Sequence, residues 1–431
     1  MTGMLASLRV HNYRLYFFGQ GISVAGTWMQ NVAVSWAVLR LTDSAVVLGV
    51  VWAARYLPII LLGPWGGLVT DRSNVRRLIV VTQAVSAVLS LALALLSLAG
   101  RVSVAAVLLL VLLLGLVNVF DGPTRQSLIS TLIPRDRLAN AIALNSISMN
   151  TARIVGPSVA GALIATLGVT PCFFANALSF GAVVASVLAM RGPELVPAER
   201  EVRSKGQIRA GLRYIAGTPS LSAPLVMVLV TGMLTYEFPV SLPLVTTSTF
   251  HGSATAYGIV VSCLGAGSIA GAAVAARRRG VTVRSLSLSA TIWGALVLAS
   301  ALAPTLPVLY VLVAFVGAGA VTFNSAAKTL LQLESASRMR GRVMAVWSML
   351  WQGSTVAGAP IVGAAASLFG ARYGLVVGGT GALAVGTVYL AVGRRAGTER
   401  PGEPGELGEP LGEPLGEPLG EPAVVAEPTE P

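Results

Sequence analysis

Apolar stretches long enough to cross a bilayer follow one another down almost the whole chain, broken by short turns that carry arginine. A membrane core takes about 20 helical residues. Within it every backbone N–H and C=O must be satisfied inside the segment, so runs of this length can only be α-helices. The runs define twelve candidate spans: 15–39, 45–70, 78–99, 103–131, 138–167, 171–190, 221–247, 255–276, 285–302, 307–333, 343–368 and 373–393. Several exceed the length a bilayer needs, so tilt or protrusion is expected. Hydrophobic residues are 54% of the chain and charged residues 11%, against about 25% charged in soluble domains. The class is an all-α polytopic membrane protein.

Arginine sets the orientation, because short cytoplasmic loops keep an excess of positive charge. With the N-terminus inside, the inner segments hold Arg9, Arg14, Arg72, Arg76, Arg77, Arg135, Arg137, the 191–213 linker, Arg277 to Arg284, and Arg338 to Arg342. The outer segments hold only Arg40, Arg101 and Arg372. Both termini are therefore expected in the cytoplasm. The chain divides into a cytoplasmic N-terminus (1–14), six spans (15–190), a polar linker (191–220), six more spans (221–393) and an acidic tail (394–431). The tail repeats Gly-Glu-Pro-Leu, with slips, from Gly402 to Pro422. Gly and Pro forbid a helix there and the acidic charge opposes collapse, so it reads as disordered.

The two sets of spans look related. At a gap-free offset of 203, Phe120 meets Phe323 and Asp121 meets Asn324. Arg125 meets Lys328, Arg135 and Arg137 meet Arg338 and Arg340, and Pro157 meets Pro360. Rare residues in step outweigh chance matches among Ala, Val and Leu.

Other chemistries lack their residues. The net charge of +12 comes from short loops between apolar helices, with no basic domain for nucleic acid. Cys172 and Cys263 fall inside apolar runs and read as small buried hydrophobes. His11 and His251 have no metal-ligand spacing, so no metal and no cofactor are implied. The sequence has no Ser/His/Asp set for an enzyme and no phosphate-binding loop for a nucleotide-driven pump. The first run is long and no small-residue site closes it, so no cleavable signal peptide is expected.

Between spans two and three the chain reads Gly66-Gly67-Leu-Val-Thr-Asp71-Arg72-Ser-Asn-Val-Arg76-Arg77. This resembles the Gly-x-x-x-Asp-Arg-x-Gly-Arg-Arg loop of the major facilitator superfamily, with one extra residue before the arginine pair. Asn74 stands near the usual glycine, and asparagine tolerates the positive φ of a tight turn. Span five carries Gly156-Pro157-Ser-Val-Ala160-Gly161, similar to the Gly-Pro-x-x-Gly-Gly motif of the superfamily's drug:proton antiporters. The Phe-Asp-x-Pro-x-Arg-Gln wording at Phe120 looks like the exporter branch that includes siderophore and drug efflux proteins. The resemblance covers residues 10–395. It implies twelve transmembrane helices in two pseudo-symmetric six-helix bundles, with a small-molecule substrate bound between them near mid-bilayer. It also implies a multi-pass protein of a bacterial plasma membrane. The chain is expected to act as a monomer in the lipid bilayer, with protons as the coupling ion.

Ionisable groups within spans are expensive and so mark function. Asp121 and Arg153 lie at similar depth on antiparallel neighbours and could pair; Arg125 is one turn from Asp121. Arg55 lies mid-span in helix two. Glu237 lies mid-span in helix seven, beside Pro239, which favours a kink. Either Asp121 or Glu237 could carry a proton between the two sides, since desolvation raises a carboxylate pKa and a nearby arginine lowers it. The alternative is a static ion pair joining helices four and five. By resemblance, Asp71, with Gly67, Arg72, Arg76 and Arg77, would hold a cytoplasmic gate against the start of helix eleven near Arg342. Gly156, Pro157 and Gly161 would form a tight seam, or ordinary close packing. Trp28, Gln30, Asn31, Tyr236, Trp347 and Trp351 are candidate cavity lining, suited to an amphipathic, largely apolar substrate. The leading expectation is proton-coupled efflux of such molecules. A siderophore or metabolite exporter, an importer of the same fold, and a channel are the alternatives.

Overall fold

The computed structural model describes residues 6–133, 138–191, 213–278, 280–336 and 339–398. The expectations on Arg135, Arg137, Arg338, most of the linker and the Gly-Glu-Pro-Leu tail lie outside the described residues. Among those described there is no strand.

A 3-10 turn at Ala6–Arg9 leads into α1 (His11–Thr42), α2 (Ala45–Arg72), α3 (Val75–Leu98), α4 (Val104–Leu132), α5 (Leu138–Leu167) and α6 (Thr170–Leu188). There follow α7 (Pro219–Val230), α8 (Phe238–Leu244), α9 (Ala254–Arg277), α10 (Val283–Ala301), α11 (Leu306–Glu334), α12 (Arg340–Phe369) and α13 (Arg372–Thr398). Among the described residues, nine segments are long and apolar enough to cross a membrane. α1, α5 and α12 have the length, at 32, 30 and 30 residues, but more polar sequences.

Short polar residues start the helices by giving an otherwise orphaned N–H an acceptor. Ser44, Ser103 and Ser253 each cap the third residue of the helix that follows. Asn74 does the same for α3, accepting from Arg77 N at φ −72°. That corrects the expectation of a positive-φ turn: the asparagine is there as a cap.

Span seven, expected to kink at Pro239, is broken outright. α7 passes into a π turn at Thr231–Thr235, the helix lapses at Tyr236 and Glu237, and α8 runs into a second π turn at Val245–Thr249. Pro239 causes this by starting a helix. It sits in the first turn of α8, where its missing N–H costs nothing.

α1 packs on α5 and α6, α2 on α4, and α3 on α4 and α6. In the second group α9 packs on α11, α10 on α11 and α13, and α12 on α13 and the first π turn. Two long crossings join the groups, α2 with α12 and α5 with α9, and α8 adds shorter contacts with α1 and α2. Both are tight where glycine replaces a side chain. A Cβ on Gly258 would lie 2.6 Å from Pro157 O, and one on Gly161 would lie 3.0 Å from Gly258 Cα. Gly49 meets the Ala359 backbone, and Gly363 meets the backbone of Ala45 and Val46. These contacts sit toward the end of the molecule that holds Thr42, Ala45 and Ala254, here the Thr42 end. Toward the Arg72 end, α5 presents a polar face. Ser146 and Thr151 are exposed there, and Ser146 and Asn150 donate to carbonyls of their own helix.

Candidate functional site

Between the two groups, beside the crossings, lies a cavity. Trp28 and Asn31 of α1, Trp52 and Tyr56 of α2, Arg153 of α5, Tyr257 of α9 and Thr355 of α12 line it. The break in span seven supplies Tyr236 and Glu237. Helical hydrogen bonding lapses there, so the two side chains leave the cylinder of α7 and project between the groups.

Glu237 is 2% exposed. Its backbone carbonyl accepts from Val240 N and Ser241 N, which fixes it as the cap of α8. Its carboxyl is hydrogen-bonded to the Thr355 side chain, and its Oε1 has no partner. Also on the cavity, the Arg153 guanidinium lies over the rings of Trp28, at 5.0 Å, and Tyr236, at 5.9 Å. Its Nη2 donates to the Tyr236 hydroxyl, while Nε has no partner. Tyr236 is held in turn by Trp351, with ring centroids 4.7 Å apart. At the Thr42 side Ser35 ties four elements: it accepts from Trp52 Nε1 at 3.1 Å, donates to Pro239 O at 3.2 Å, and meets the Tyr257 hydroxyl.

Arg153 therefore does not pair with Asp121. Asp121 is 6% exposed and accepts from Thr82 Oγ1 at 2.9 Å and Gln83 Nε2 at 2.6 Å, both on α3. Its charge is met by Arg125 Nε one turn along α4. The acid, two neutral donors and one base form a closed cluster inside the first group.

Of the other candidates, Asn31 and Trp28 are in the wall, but Gln30 turns away and accepts from Asn176 of α6 at 2.7 Å. Trp347 stacks on Trp351 and lies under Lys328, outside the cavity wall. Arg55 precedes the wall residue Tyr56, and its carbonyl packs on Gly115 of α4. Gly156 lets α5 close on Ala25 and Trp28 of α1, while Pro157 and Gly161 face α9. Gly67 is buried near the end of α2, where Asp71 and Arg72 are exposed. Arg76 reaches the end of α6, donating to the carbonyls of Val187 at 3.1 Å and Leu188 at 2.8 Å, where a helix end favours positive charge. Arg77 opens α3 through its backbone. The Arg342 guanidinium lies against Met339 Sδ. Sequence reasoning missed Trp52, Tyr56, Tyr257, Thr355 and Ser35, which look like any aromatic or small residue in an apolar run. It also missed the α5 face at Ser146 and Asn150, which their spacing of four could have revealed.

A family model described as a transmembrane secretion effector matches residues 2–411. The chain belongs to that family. This places it in the major facilitator superfamily, as the Asp71–Arg77 loop and the Gly156–Gly161 motif implied. Among its relatives, the multidrug efflux pump Tap of Mycolicibacterium fortuitum is 28% identical over 78% of this chain and 84% of that one. The staphyloferrin A transporter of Staphylococcus aureus is 25% identical over 59% of this chain and 64% of its own length. Among solved structures, a bacterial homolog of the human lysosomal transporter Spinster, inward-facing and occupied, superposes with a TM-score of 0.70 at 14% identity, covering 90% of this chain and 97% of that one. The nucleoside transporter NupG gives 0.69 at 14%, covering 90% and 99%. At that identity the likeness is one of fold.

Proposed function

We propose that this family member is a proton-coupled exporter of small amphipathic molecules, working by alternating access in a bacterial plasma membrane. In this reading the chain has twelve spans in two six-helix bundles, α1–α6 and α7–α13, with both termini in the cytoplasm. The packing within each group and the two crossings between them support it. So does the positive charge at the Arg72 end, which favours a cytoplasmic placement of that end. The Thr42 end is then the closed, outer side, and the polar face of α5 borders a passage open inward.

The observation that carries the reading is Glu237, a buried carboxylate with a free oxygen on an aromatic cavity between the bundles. A carboxylate there can exchange a proton for substrate. Asp121 is the weaker carrier, because three donors already hold it, and it is read as a static ion pair on α4 that Thr82 and Gln83 tie to α3. Asp71, exposed at the inner end of α2, is assigned to the cytoplasmic gate facing the start of α12. The match to a staphyloferrin A transporter favours, as second reading, export of an endogenous siderophore by the same machinery.

The test is substrate-dependent proton movement in proteoliposomes, with ethidium beside a panel of ferric chelators. Glu237→Gln should abolish the coupled flux and Asp121→Asn should spare it. Coupled flux that survives Glu237→Gln would remove the assignment, and transport without proton flux would point to a facilitator.

A further inference from the structure

The cavity holds a basic and an acidic group that do not meet. Among the described residues no ion pair joins Arg153 to Glu237. Tyr236 takes one N–H of the guanidinium, and the rings of Trp28 and Tyr236 hold its plane. Glu237 is fixed separately, by its place as the cap of α8 and by Thr355. One donor, Arg153 Nε, and one acceptor, Glu237 Oε1, are left buried and unsatisfied on the same cavity. A guanidinium and a carboxyl group in an apolar site would ordinarily close on each other, because an unmet buried polar group is costly. These are held open by an aromatic scaffold.

A ligand that satisfies both must bring an acceptor to Arg153 and a donor to Glu237. A purely cationic ligand leaves Arg153 unmet and sets its own charge against it. A purely anionic ligand has the same conflict with Glu237. Aromatic faces on Trp28, Trp52, Tyr56 and Tyr236 suit a flat ring system between the two poles. We propose that the cavity selects zwitterionic aromatic molecules, with the carboxylate directed to Arg153 and the protonated amine to Glu237, at opposite ends of the ring system. The inference rests on the cavity being the substrate site.

Three forms of one scaffold test it on the purified full chain: ciprofloxacin, which carries both charges, its methyl ester, which keeps the amine, and its N-acetyl derivative, which keeps the carboxylate. Binding is read by calorimetry against micelle blanks, with thermal unfolding as a folding control. One unmet buried group should weaken binding about ten- to a hundredfold, so the zwitterion should bind at least about tenfold more tightly than either derivative. Arg153→Gln should remove its advantage over the ester, and Glu237→Gln its advantage over the N-acetyl compound. Affinities within about threefold of one another in the unaltered protein would overturn the inference. So would failure of all three to bind, or variants that weaken all three alike. Proton flux with ethidium that persists when the trio shows no preference would leave the transport reading standing and remove this one. A preferred zwitterion with no flux for any substrate would keep the binding site and remove the pump.

Discussion

Replacing Arg125 with methionine should unsettle the first bundle, and removing Asp121 as well should restore it. The Asp121 carboxylate is 8% exposed and the Arg125 side chain 20%. Two unit charges about 4 Å apart at an effective dielectric near 20 interact by about 4 kcal/mol. Taking one partner from a buried pair costs about 3–5 kcal/mol. Thr82 and Gln83 still hold the acid in Arg125→Met, which puts the cost at the lower end, about 3 kcal/mol. At about 2 °C per kcal/mol for a large chain, the apparent Tm should fall by about 6 °C. Asp121→Asn should cost less, about 1–2 kcal/mol, because Arg125 is partly exposed and can extend toward the Arg72 end. The double variant Asp121→Asn/Arg125→Met leaves no uncompensated charge and should return to within about 1 kcal/mol of the original. In a Cys263→Ser background, which removes the partly exposed thiol, a thiol-reactive dye reads the transition, since Cys172 is fully buried and becomes available only on unfolding. An unchanged Tm in Arg125→Met, or a double variant as unstable as the two single losses added, would refute the cluster as a charge-balanced unit.

Gly258→Val places branched carbon against Pro157 O and Gly161. It should cost about 1–3 kcal/mol and open the Thr42 end, seen as faster labelling of Val261→Cys by a membrane-impermeant maleimide in a background without the native cysteines. Arg76→Ala removes both bonds to the end of α6 and should lower stability by about 1 kcal/mol, read as a lower apparent Tm. Asp71→Asn should slow turnover about two- to fivefold, the equivalent of the 0.3–1 kcal/mol of an anion at a helix start, while insertion into the membrane stays normal. Full turnover in that variant would count against the gate.

The all-helical class and the family could be read from the sequence because each depends on one dimension: run length and a short motif. Facing could not. Asp121 and Arg153 were matched by depth, but depth leaves rotation about the helix axis undetermined. Arg153, Pro157 and Gly161 are spaced by four and share one face of α5. Pro157 and Gly161 pack on α9, so Arg153 must look toward the second group and away from Asp121. The same ambiguity separates Gln30 from Asn31, neighbours about 100° apart on α1. One bonds within its own bundle and the other lines the cavity. Pro239 showed that span seven was disturbed, but the first π turn packs against α12 and α13 and the second against α9, which no local signal encodes.

The glycine crossings set how the closed end can come apart. At the glycines each is backbone laid on backbone, and dispersion contact is lost within a fraction of an ångström. A rotamer change at Ser158 or Ser262, which bond across α5 and α9, therefore cannot open a crossing on its own. Since both join the same two rigid groups at the same end, parting one strains the other. Release is concerted, a single event whose rate reports both seams together.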